Sequence, residues 1–234
     1  MSDLFDVTDA TWPAAAVHKA GAFRIREGRG GGQRVSAATA RHSWTKADID
    51  RAETVQQQLC QPALFMIRPG DEALDAELSK RGYAVKDPVN LYVTSIPTLL
   101  NDVAPPLSAF VLWPPLAIMR DIWAEGGIGP DRIAVMERAA QPKTAILGRI
   151  NDRVSGVAFV AVHDSVAMLH ALHVVPEQRR HGAAVRIVRR AAEWAHGHGA
   201  KSFAVLVTCA NLPANALYAS LGMEVVGQYH YRTK

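Results

Sequence analysis

The chain has 234 residues, of which 49% are hydrophobic and 21% charged, enough apolar material for a sizeable core and too little charge for a disordered chain. Twenty-six Lys and Arg against 22 Asp and Glu leave a net +4, an excess that suits an anionic ligand as well as nucleic acid, so its location matters more than its size. The acidic start Met1-Ser2-Asp3-Leu4-Phe5-Asp6 is unlike a signal peptide, and the most apolar stretch, Ser108 to Met119, is broken by Pro114 and Pro115 and falls short of the roughly 20 residues that cross a bilayer. Cys60 and Cys209 make neither a disulfide framework nor a metal-ligand spacing, so a cytoplasmic protein without membrane or metal is expected.

In chain order, Phe23 to Glu27 and Gln33 to Thr39 read as strands joined by a hairpin turn over Gly28-Arg29-Gly30-Gly31-Gly32. Thr45 to Leu59 reads as a helix and Ala63 to Ile67 as an apolar strand. Asp71 to Lys80 follows as a helix with Asp71 as N-cap and Gly82 as its stop, and Val89 to Ile96 is a strand. Pro97, Pro105, Pro106, Pro114 and Pro115 then interrupt both helix and long strand, which predicts a linker over 98–115 between domains 1–97 and 116–234. Beyond it come a helix from Leu116 to Ala124 and strands over Arg132 to Glu137, Thr144 to Ile150, Val154 to His163 and Val166 to Val175. An amphipathic helix over Gly182 to His196, a strand over Phe203 to Val207, a helix over Pro213 to Ser220 and a strand over Met223 to Tyr231 complete the chain. This order describes an α/β (α+β) fold with a mixed sheet flanked by helices.

The strongest chemical signal is the run from Val174 to Ala184, a strand entering the basic turn Arg179-Arg180-His181-Gly182 that opens a helix. Amides at a helix start lack intrahelical partners and carry partial positive charge, so they bind phosphate oxygens, and small residues let a ligand approach the backbone. Between Pro176 and Lys201 six basic residues face two acidic ones, and this difference of four equals the excess of the whole chain. A solvated helix face accounts equally well for Arg186 and Arg189.

Arg179-Arg180-His181-Gly182-Ala183-Ala184 resembles the acetyl-CoA signature of the GCN5-related N-acetyltransferase (GNAT) family: Arg or Gln, two residues, Gly, one residue, Gly or Ala. Asn211, Tyr218 and Leu221-Gly222-Met223, following the strand Phe203 to Val207, are similar to that family's closing pattern, with Met223 where Phe is usual. The resemblance covers residues 130 to 230. It implies a GNAT fold with a mainly antiparallel sheet, acetyl-CoA as co-substrate, and N-acetyl transfer to a primary amine by direct attack in a ternary complex. It further implies that Leu172, His173 and Val174 pair with the pantetheine arm, that Arg179, Arg180, His181, Gly182, Ala183 and Ala184 wrap the pyrophosphate, that Asn211 contacts pantetheine, and that Tyr218 is the general acid. A phenol is protonated at neutral pH and suits that role. Tyr218 as a core tyrosine and Asn211 as an N-cap are the plainer readings of the same residues.

A general base is less evident, because Met168 to Leu172 and Phe203 to Val207 contain no carboxylate. His170 is the nearest titratable candidate, although a lone strand histidine is more often a hydrogen-bonded structural residue. Taking 82 from 222 gives an offset of 140 that lays Leu64 to Ile67 on Ala204 to Val207, Asp71 on Asn211, Leu78 on Tyr218 and Gly82 on Gly222. The first half therefore reads as a degenerate GNAT-like copy in tandem, without a phosphate turn and with Leu78 in place of the acid. The competing reading is a non-catalytic acyl-CoA-binding regulatory module. Nucleic-acid binding is not expected, since the basic residues gather on one turn and no aromatic residues interleave them. A small-molecule or peptide amine is the expected partner, and a homodimer stays open.

Overall fold

The structure, a computed structural model, describes residues 3–102 and 104–234. The first repeat runs α1 (Leu4–Thr11), β1 (Ala16–Ala20), β2 (Phe23–Glu27), β3 (Ala38–Ala40), α2 (Lys46–Gln58), β4 (Leu64–Ile67), α3 (Glu72–Lys80) and β5 (Ala84–Ser95). After α4 (Ile96–Leu100), β6 (Ala109–Leu112), α5 (Ala117–Glu125) and α6 (Pro130–Arg138), the second repeat runs β7 (Lys143–Ile150), β8 (Arg153–His163), β9 (Val166–Val174), α7 (Ala183–Gly197), β10 (Ser202–Thr208), α8 (Leu212–Ser220) and β11 (Glu224–Thr233).

Three readings need correction. Residues 132 to 137 are helical and not a strand: Gly129 is the N-cap, Pro130 opens the helix and Asp131 sits in its first turn, which outweighs the β-branched Ile133 and Val135. Gln33–Val35 is a single 3₁₀ turn, closed by the Ser36 hydroxyl on the Gly32 carbonyl at 3.0 Å, so only Ala38–Ala40 of the expected strand is extended. The proline-rich crossover holds α4 and β6. Helix α1 follows a pattern present in the sequence: Asp3 caps it, and its buried residues Leu4, Val7, Thr8 and Thr11 have helical spacing.

The chain forms two compact units, and neither is a consecutive piece of sequence, in contrast to the expected limits 1–97, 98–115 and 116–234. Unit 1 holds the N-terminal segment ending at Pro13, Leu91–Val207 and Asn211–Val226; unit 2 holds Ala14–Asn90, Thr208–Ala210 and Gly227–Lys234. In unit 1 the strand order is β5-β10-β9-β8-β7-β6, antiparallel from β9 to β6 and parallel between β9 and β10. In unit 2 it is β1-β2-β3-β4-β11, with β3 and β4 parallel and the other pairs antiparallel. The core of unit 1 packs Ile187, Val188, Ala191 and Ala195 of α7 on Ala158, Val160, Leu169, Phe203 and Val205. That of unit 2 packs Ile49 and Ala52 of α2 on Phe23, Ile25, Phe65 and Ile67.

The offset of 140 extends through the ordered elements. Helices α3 and α8 and the starts of β5 and β11 correspond residue for residue. Both helices end in the same cap: Gly82 (φ 83°) and Gly222 (φ 72°) are left-handed, and the next amides, of Tyr83 and Met223, donate back to Leu78 O at 3.0 Å and Tyr218 O at 3.1 Å. What differs from a simple tandem is the closing strand. The second half of β5, from the first repeat, completes the sheet of unit 1 beside β10, and the second half of β11 completes that of unit 2 beside β4.

Each closing strand also grips the helix of the unit it joins, at equivalent positions. In unit 2 Arg232 donates to Asp75 of α3 through Nε (2.7 Å) and Nη2 (2.9 Å), and His230 Nε2 lies 2.7 Å from the same carboxylate. In unit 1 the Tyr92 hydroxyl donates to Asn215 Oδ1 of α8 at 3.1 Å. The Arg232 hydrogen bonds, aided by His230, hold the Asp75 carboxyl at a pKa of about 2. This depressed value stabilises the fold above the ordinary Asp pKa of about 4, and the contribution fades as pH falls toward 2. Asp75→Asn is therefore expected to cost roughly 1–2 kcal/mol, a fall of about 2–8 °C in Tm, at neutral pH, given that the pair is partly exposed. Thermal melts of both proteins at pH 7 and pH 2.5 check this: the difference should shrink at the lower pH.

Candidate active site

His170, Leu172 to Val174, Arg179 to Ala184, Asn211 and Tyr218 all lie in unit 1. β9 is paired along its length with β8, from His163↔Val166 to Gly156↔Val174, but its pairing with β10 runs only from Ser202↔Val166 to Val205↔Leu169. Past Leu169 the two parallel strands part. The cause is a bulge: the register against β8 shifts between Val157 and Phe159, and Ala171 takes a left-handed φ of 53°. Its carbonyl turns out of the ladder to accept from the indole of the buried Trp123 on α5 at 2.8 Å. Trp123 is a site-shaping residue that the sequence did not announce, since nothing but its apolar helical spacing marks it.

The edge at Leu172, His173 and Val174 thus lies past the end of the parallel ladder. Unpaired backbone groups there can take an extended amide-bearing ligand as an added strand. The His173 ring packs on Gly126 at the end of α5, where a Cβ would come within 2.5 Å of its Nδ1. Burial first, and Arg179 second, hold this histidine below its ordinary pKa.

The chain then bends through Pro176–Gln178, and Arg179 Nε donates to Val174 O at 3.2 Å, tying the turn to the strand end. Arg180 (φ 66°) and Gly182 (φ 80°) are both left-handed, which turns the backbone tightly ahead of α7. No side chain caps α7, and its ladder starts with Arg186 N–H on Gly182 O. The amides around Ala183 and Ala184 therefore point out of the helix start. A Cβ built at Gly182 would meet nothing within 4 Å, so the approach to these amides is open. Exposed Arg179, Arg180 and His181 surround it. The turn fits a pyrophosphate.

Asn211 and Tyr218 share α8. Asn211 is its N-cap, with Oδ1 accepting from Ala214 N–H at 3.2 Å. Tyr218 is buried in the same core as Val188, Val207 and Leu221, with Leu172 packed against it. Burial pushes its phenol above the ordinary tyrosine range, so it keeps its proton throughout the neutral region.

His170 is placed differently. Leu169 faces the core that holds Tyr218, and the alternation of β9 turns His170 to the opposite face. There it is 4% exposed, stacked on Trp12 at 4.9 Å and bonded through Nε2 to Thr11 Oγ1 at 2.9 Å. The Thr11 hydroxyl also donates to Val7 O at 2.7 Å, so the ring is tied to helix α1. Among the described residues no group of three or more His, Cys, Asp or Glu could hold a metal ion, and no helix is long and apolar enough to cross a membrane.

Residues 116–223 match the family model described as Acetyltransferase (GNAT) family. This segment belongs to the GNAT family. The GNAT fold extends over the whole chain: a GCN5-related N-acetyltransferase from Kribbella flavida is 16% identical with a TM-score of 0.69, covering 100% of this chain and 96% of its own. A conserved protein of unknown function from Staphylococcus epidermidis gives 12% and 0.70 over 97% and 96%. A tandem GNAT protein from the clavulanic acid biosynthesis pathway gives 12% and 0.64 over 99% and 87%. No curated protein matches the chain. The family match supports acyl transfer as the general chemistry.

The turn makes a sharp prediction. Gly182→Glu sets a carboxylate on a left-handed backbone over the α7 amides and should reduce acetyl-CoA affinity at least 100-fold, an effect of about 3 kcal/mol or more. Gly182→Ala carries the backbone strain without the charge, about 1 kcal/mol. Calorimetry on both variants separates the two; Gly182→Glu binding within twofold of wild type would place the pyrophosphate elsewhere.

Proposed function

We propose that the protein transfers an acetyl group from acetyl-CoA to a primary amine by direct attack in a ternary complex. The observation that carries this reading is the open, uncapped start of α7 adjoining the unpaired end of β9. Acetyl-CoA supplies the thioester that the amine attacks. Leu172, His173 and Val174 align the pantetheine arm along β9, the residues from Arg179 to Ala184 hold its phosphates, and Asn211 adds a polar contact at the start of α8. Fixing both reactants in this way supplies most of the rate gain. Tyr218 donates its proton to the departing thiolate. The burial that raises the phenol's pKa also disfavours a bare thiolate in the same surroundings, which helps the proton cross. His170 is the base candidate for an amine that arrives protonated; a neutral amine needs no base before attack, and the proton its nitrogen sheds as the tetrahedral adduct collapses restores the Tyr218 phenol.

Replacing Tyr218 by Phe keeps the ring and removes one hydroxyl. Acetyl-CoA affinity should hold while turnover falls by roughly tenfold to several thousandfold. Because the raised pKa keeps the phenol protonated, turnover should show no alkaline loss due to Tyr218 below about pH 10. Free-thiol release from acetyl-CoA, measured with a polyamine, an aminoglycoside, an amino acid and a peptide N-terminus over a range of pH, tests the activity and both statements. Tight acetyl-CoA binding with no thiol release on any amine class would favour a non-catalytic acyl-CoA-binding module.

The first repeat offers no second cofactor site in this reading. Its helix α2 starts with a capping box: Thr45 and Asp48 satisfy each other's amides, and Asp48 places a carboxylate where a phosphate would have to sit. Calorimetric titration should give one acetyl-CoA per chain; two equivalent sites would overturn this.

A further inference from the structure

The closing strand from the first repeat brings one side chain to the helix that carries the proposed acid. Tyr92 is buried on β5 within unit 1, its ring 5.9 Å from that of Tyr218 and tilted by 45°. Its hydroxyl donates to Asn215 Oδ1, and Asn215 Nδ2 in turn donates to Asn211 O at 2.7 Å. Asn215 lies three residues before Tyr218 and shares its face of α8. One chain of hydrogen bonds thus runs from Tyr92 to the cap of the helix that holds Tyr218.

The equivalent position in unit 2 shows what this contact is for. There the grip is the ion pair of Arg232 with Asp75, on a helix whose residue 78 is Leu. A charged pair next to a buried phenol would shift its proton affinity, whereas the Tyr92–Asn215 pair brings no charge, and burial is the influence that sets the Tyr218 pKa. We propose that Tyr92 is a positioning residue for Tyr218: it fixes the height and tilt of α8 and supplies an uncharged surface for the phenol. This rests on Tyr218 being the acid, and it gives the first repeat a part in the reaction of the second.

The test uses the full chain. Tyr92→Phe keeps the ring and removes the hydroxyl; it should leave acetyl-CoA Kd within about twofold and amine KM little changed, while kcat for thiol release falls by roughly 3- to 30-fold. In a Tyr218→Phe background the same change should cost less than about twofold, because Tyr92 acts through a hydroxyl no longer present; a general loss of fold would cost the same in both backgrounds. A second reading needs no acceptor: amide hydrogen exchange over Asn215 to Tyr218 should speed up roughly 5- to 10-fold in Tyr92→Phe while α7 is unchanged. Wild-type kcat and exchange in Tyr92→Phe, or an equal loss in both backgrounds, would overturn the positioning role alone. Wild-type turnover in Tyr218→Phe would instead overturn the acid assignment, and the role of Tyr92 with it.

Discussion

A parallel strand pair that stops halfway leaves amides and carbonyls with nothing to bond, and such groups are costly unless something else pairs with them. β9 and β10 part after Leu169 and Val205. The departure is enforced by the left-handed backbone at Ala171, whose carbonyl is given to Trp123 instead of to the ladder. The rest of the unit is arranged around that opening. The α7 start closes one end with unpaired amides and the α8 helix brings Asn211 and Tyr218, while α5 and α1 cover the opposite face through Trp123, Trp12 and Thr11.

The sequence disclosed those parts whose chemistry is local. A glycine turn with arginines ahead of a helix and an Asn cap seven residues before a Tyr are each readable from a few adjacent residues, and the structure has Gly182 at the start of α7 and Asn211 and Tyr218 together on α8. What was hidden depends on distant partners. No feature near Ala171 announces a bulge, because the Trp123 indole that holds it lies 48 residues earlier. Tyr92 reads as an ordinary strand residue until β5 is placed beside β10. The α6 segment shows how local evidence can conflict: Ile133 and Val135 alternate as in a strand, while Gly129-Pro130-Asp131 spell a helix start.

The two repeats kept their scaffold and diverged in their helix starts. Phe65 and Val205, Ile67 and Val207, Leu78 and Tyr218, and Tyr83 and Met223 are buried at equivalent places. The α2 start is closed by Thr45 and Asp48, and the α7 start is bare. One capping box is enough to turn an anion site into a plain helix end, because the same amides cannot serve both a side chain and a phosphate. The two repeats therefore share a fold while differing at the helix start.

The exchange of closing strands has a consequence for the order of events during synthesis. β4 waits for its antiparallel neighbour until Arg232 and its flanking residues have been made, long after residues 14–90 of unit 2. Unit 1, by contrast, receives its borrowed strand before β10 exists. The first repeat to be translated is thus the last to be finished, and its edge at Leu64 to Ile67 has to stay out of wrong pairings for most of translation.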